Sequence, residues 1–102
     1  MAISSTSVTS VMQLSSRAES LLRILYRKYL DKRAAGISKS EAFSMGDIDY
    51  IRENLAVNLS YADVCDASDE LCRGDLIFKS LWGYIALNNE FLAFCERNYI
   101  KV

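Results

Sequence analysis

The chain has 102 residues, a hydrophobic fraction of 51% and a net charge of −1, enough for one domain with its own core and too short for two. No apolar run reaches the roughly 18 residues of a spanning helix, and residues 1–16 lack the basic start and long apolar stretch of a secretion signal, so a soluble cytoplasmic protein without membrane contact is expected. Three cysteines without a Cys-x-x-Cys pair suit reduced thiols, and with no histidine at all the commonest metal ligand and the commonest general base are both missing.

Residues 1–15 are rich in Ser and Thr, and are expected to form a flexible N-terminal arm ahead of a single domain over 16–102. Within the arm, Val8, Val11 and Met12 could instead extend the next helix or dock on a partner chain. Ser16-Arg17-Ala18-Glu19 has the form of a capping box. Ala18, Leu21, Leu22, Leu25 and Tyr29 then recur at helical spacing, which predicts a first helix to about Ala35 with Gly36 as its stop. Residues 37–43 read as a brief strand or a turn, with Ile37 and Phe43 inward. A second helix is expected from Ser44 or Asp47 to about Ala56, burying Ile48, Ile51 and Leu55.

Ser60 is the next N-cap, followed by Asp63. The third helix behind it buries Val64, Ser68 and Leu71 and ends at Gly74. Leu76 to Lys79 and Gly83 to Leu87 have the aromatic and β-branched content of two strands, joined by Ser80-Leu81-Trp82. Asn88 or Asn89 caps a last helix, with Phe91, Leu92 and Cys95 inward and Tyr99 near its end.

The expected fold is therefore mainly α with a small β-hairpin, in the order helix, short strand, helix, helix, hairpin, helix. This order resembles the winged-helix branch of the helix-turn-helix proteins, and Leu55 to Leu92 carry the likeness best. Ser60 matches the cap of that family's third helix, Val64 and Leu71 its anchors, and Gly74-Asp75-Leu76-Ile77 the step into its wing. Tyr84-Ile85-Ala86-Leu87-Asn88 matches the return of the wing into a helix, with Asn in place of the usual Thr. The likeness covers about three quarters of the chain and rests on spacing and capping. It implies a small regulatory module that associates with DNA, alone or as a dimer.

Charge argues against the family's usual surface. The resemblance places Tyr61, Asp63, Asp66 and Asp69, with Ala62 and Cys65, on the exposed face of the third helix that would enter a major groove. Carboxylates there oppose phosphate, and DNA binding draws most of its free energy from Lys and Arg. The chain is also polarised. Residues 17–39 hold seven basic and two acidic side chains, a balance of +5, whereas residues 40–75 hold two basic and nine acidic ones, a balance of −7. Two readings stay open. Nucleic acid could be met by the basic first helix (Arg23, Arg27, Lys28, Lys32, Arg33) and the hairpin (Lys79, Trp82). Alternatively, the module has lost DNA binding and meets a protein, or a second copy, through the acidic third helix and the hairpin. Trp82 is either an interface anchor or folded back as core. For each charged run the plain reading is a solvated face.

No catalytic, metal-binding or cofactor-binding residues are expected. A nucleophilic Cys needs a base or a cationic setting, and Cys65 and Cys72 lie among carboxylates. Asp63, Asp66, Asp69 and Glu70 lack the Gly and closing Glu of a calcium loop.

Overall fold

The computed structural model describes residues 14–102. The arm expected over 1–15 lies outside the described residues, except for its last two. The described chain is mainly helical, with a small three-stranded antiparallel sheet.

Helix α1 spans Ser16–Ala34 and buries Ala18, Leu21, Leu22, Leu25 and Tyr29, the stripe that its spacing predicts. Its cap is Ser15, not Ser16. The Ser15 hydroxyl accepts from the Ala18 amide at 3.2 Å, and Glu19 turns to Arg23 instead of closing a capping box. With two serines side by side, the local signal left the register open by one residue. Gly36 stops the helix as expected: at φ +88° it adopts the left-handed conformation that glycine tolerates. There the Ile37 amide reaches back to the Lys32 carbonyl at 3.0 Å.

The next stretch differs in detail from the expected order. Where a strand or turn was expected, Lys39–Ala42 form a short helix, α2, capped by Ser38. The strand comes later: Ser44–Gly46 form β1, beginning at the earlier of the two points where the second helix was expected to start, while the later one, Asp47, is that helix's cap. Three residues carry almost no strand propensity of their own. Pairing with a distant strand and burial of Met45 decide the matter. Helix α3 then starts at Ile48, because the Asp47 carboxylate accepts from the Tyr50 amide at 2.8 Å. It covers Ile48–Tyr50 and continues as a π-helical turn, Ile51–Leu55, closed by the Ala56 amide on the Ile51 carbonyl at 2.7 Å. Ile48 and Ile51 are buried and Leu55 is half-buried.

Helix α4, Tyr61–Arg73, begins at the Ser60 cap and buries Val64, Ala67, Ser68 and Leu71. Gly74 follows it, but the left-handed residue is its neighbour Asp75, at φ 61°. The hairpin comprises β2, Ile77–Lys79, and β3, Ile85–Leu87. Strand β3 is central, paired with β1 on one side and β2 on the other. Helix α5, Asn89–Arg97, is capped by Asn88 and buries Phe91, Phe94 and Cys95.

One core joins these elements. Helix α1 packs along α4, α4 rests on β2 and α3, and the inner side of the sheet adds Met45, Ile77, Ile85 and Leu87. Tyr29 stacks on Phe43 at 5.6 Å and Tyr26 meets Phe91 edge-on at 6.2 Å. Burial drives this assembly and leaves two kinds of surface for function: charged helices and the hairpin tip.

Candidate functional site

The acidic face of α4 is largely compensated from within. Arg17, at the start of α1, lies 3.7 Å from both Asp63 and Asp66. Lys79 on β2 binds Asp69 at 2.6 Å and comes within 3.5 Å of the Ser68 hydroxyl. Glu70 receives the Ser15 amide and hydroxyl, both at 2.7 Å. Partial desolvation works against the Glu70 carboxylate, yet the two Ser15 hydrogen bonds and the Arg73 and Arg17 cations hold its pKa below the usual value. Tyr61 is exposed, and its hydroxyl pKa is raised by a hydrogen bond with Cys65 and by the nearby Asp49. The charges thus serve intramolecular contacts. Arg17 was not singled out by the sequence; its one signal was its place at the helix start.

The basic residues of α1 are similarly engaged. Arg23 donates to the Lys101 carbonyl at 2.6 Å and pairs with Glu19 at 2.9 Å. Arg27 faces Asp31 at 3.8 Å. Arg33 donates to the Ile37 carbonyl at 3.0 Å, and Lys32 to the Ser44 carbonyl at 2.5 Å. Burial and then the like charge of Lys28 lower the Lys32 pKa. Lys28 has no ion pair among the described residues.

Arg23, Arg27, Lys28 and Lys101 line an open cleft of about 430 Å³ between α1 and the end of α3, together with Ile24 and Leu55. Lys28 also borders a second cleft, which it shares with Lys32, Tyr50 and Tyr84. Of the expected site residues, the structure brings Arg23, Arg27 and Lys28 together at the first cleft and Lys28 and Lys32 at the second, while Arg33 turns to the Ile37 carbonyl. It ties Lys79 to α4, and Trp82 lines neither cleft.

The hairpin tip is the most exposed apolar feature. Leu81 is 100% exposed and Trp82 88%, and Phe78 and Tyr84 beside them stand at 64% and 55%. Trp82 is therefore not folded back as core. The turn holding it is built by Ser80. The Ser80 hydroxyl accepts from the Trp82 and Tyr84 amides at 3.2 and 3.1 Å, while its own amide donates to the Tyr84 carbonyl at 2.9 Å. Gly83, at φ +81°, supplies the left-handed step that lets the chain reverse. Both large side chains project outward as a result. Leu81, Phe78 and Tyr84 were missed as surface residues; the available signal was two bulky apolar residues set in a turn between Ser and Gly.

Cys95 is buried, which pushes its thiol up to about 12. No three His, Cys, Asp or Glu among the described residues group as metal ligands, and no helix there is long and apolar enough to cross a membrane. Comparison with known proteins finds no family model, no curated protein and no solved structure that matches the chain.

Proposed function

We propose that this chain is a non-enzymatic winged-helix module that binds a protein through its hairpin and does not read DNA with α4. The winged-helix assignment is supported by the order α1, α2, β1, α3, α4, hairpin, and by the pairing of β1 with the returning strand β3. In that fold α4 holds the place of the recognition helix and the hairpin that of the wing. Its free cysteines suit a reducing cytoplasm.

One observation carries the choice of partner: Leu81 and Trp82 stand almost wholly in water on a turn that fixes them there. Each Å² of apolar surface left wet forgoes about 25 cal/mol, and Trp is the residue most favoured as an interface anchor. Of the cations beside the α4 carboxylates, Arg17 and Lys79 are already engaged with them.

The competing reading is a DNA-associated regulator, alone or as a dimer, that uses the α1 cations. Titration of a random-sequence duplex at low and moderate salt separates the two. No retention at low salt is expected. Binding that weakens steeply with salt and is lost in Arg27→Glu/Lys28→Glu would overturn the proposal in favour of phosphate contact. The positive arm is a photo-crosslinking amino acid in place of Leu81, installed in the producing cells with a control at exposed Glu90. Protein adducts at 81 and none at 90 are expected, and their absence at 81 would overturn the reading.

A further inference from the structure

We infer that the hairpin's partner is a second copy of this chain, with Leu81 and Trp82 of one copy seated in the cleft between α1 and the end of α3 of the next. The inference rests on the protein-binding reading of the hairpin and names its occupant.

Complementarity of the two surfaces carries it. The cleft has a half-buried apolar floor, Ile24 and Leu55, and a rim rich in cations, Arg23, Arg27, Lys28 and Lys101, with Asp31, Asn54 and Val102 completing the lining. The hairpin tip is apolar and aromatic, and its base is flanked by carboxylates. Asp47 lines the second cleft together with Tyr84, Asp49 follows Ile48, whose side chain lies beside Gly83, and Asp69 is already paired with Lys79. An apolar knob with acidic shoulders thus faces an apolar floor with a basic rim. Arginine at the rim can lie over the indole face, a contact favourable by about 0.5–2 kcal/mol in general.

Two further facts fit. No hairpin residue lines the cleft, so a molecule does not fill it with its own tip. A net charge of −1 gives copies little mutual repulsion. Because knob and cleft are different surfaces, the contact is head-to-tail, and assembly proceeds past the dimer unless the rotation closes a ring.

Sedimentation of the purified full chain across the micromolar range, at low and high salt, gives the first test. Average mass should rise with concentration and fall with salt. Trp82→Ala should weaken association roughly 30-fold, and Arg27→Glu/Lys28→Glu should weaken it comparably, each with an unchanged far-UV CD spectrum.

The decisive arm mixes these two variants. Each keeps the surface that the other has lost, so together they should form a one-to-one dimer and nothing larger, although neither associates alone. A wild-type chain that stays monomeric throughout would overturn the inference, and so would a mixture that stays monomeric. The photo-crosslinker at position 81 keeps the two levels apart. An adduct with a different protein, beside a monomeric purified chain, would leave the hairpin reading standing and sink self-association. No adduct at all would sink both.

Discussion

Helix α4 and the hairpin are neighbours in the chain and opposite in how they meet water. Helix α4 turns its apolar residues inward and its carboxylates outward, and those carboxylates find partners at Arg17, Lys79 and Ser15. The hairpin buries Ile77, Ile85 and Leu87 but sends Phe78, Leu81 and Trp82 outward, where they stay largely exposed. In the first region the surface is accounted for by the fold itself. In the second, a well-made turn maintains an arrangement that the isolated molecule does not need. That asymmetry, more than the identity of the fold, directs attention to the hairpin as the working part.

The comparison can be broken by equilibrium unfolding in urea. The largest effect belongs to the α4 core: Leu71→Ala, at a fully buried site, should cost about 2–5 kcal/mol. A midpoint close to wild type would mean that α4 is not packed as described.

Next comes the carboxylate that ties α4 to the start of α1. Glu70→Gln should cost roughly 1 kcal/mol at neutral pH, through weaker hydrogen bonds from Ser15. Because the folded pKa of Glu70 lies below its unfolded value, its contribution is complete above the ordinary Glu range, about pH 4.3. It fades as pH falls through the lower folded value. The gap between Glu70→Gln and wild type should therefore close in acid, and an equal gap at both ends of the pH range would refute the pairing.

The smallest effect is expected at the hairpin tip. Trp82→Ala should leave folding stability within roughly 0.5 kcal/mol of wild type, measured dilute enough that no association contributes. A large loss would place Trp82 in the core and remove the contrast between the two regions.

Much of α4 was legible before any coordinates, because its signals are local: Ser60 as cap, Val64 and Leu71 one helical face apart, and Gly74 just beyond the end. The same holds for Gly36 and for Asn88, whose side chain caps α5. Strand β1 was not legible. Ser44, Met45 and Gly46 become a strand only by pairing with β3, some forty positions away, and nothing local announces a partner so distant. The cap of α1 slipped by one because Ser15 and Ser16 offer the same hydroxyl.

At the candidate site, the sequence displayed the separation of charge but not its resolution. Which cation meets which carboxylate depends on how α1 lies across α4. Trp82 shows the remaining gap. A lone Trp in a short connection is compatible with core or surface, and the hydrogen bonds of Ser80 and the left-handed step at Gly83 decide it.

The π-helical turn at Ile51–Leu55 has a consequence for how the chain can change in length. Such a turn carries one residue more than an α-helix over the same rise. Loss of an exposed member, such as Glu53, would let the α-helical ladder of α3 run through without displacing Ser60 or anything beyond it. The segment is a reserve of one residue, so that a single-residue deletion can be absorbed between the sheet's first strand and α4 while cap, core and hairpin keep their places.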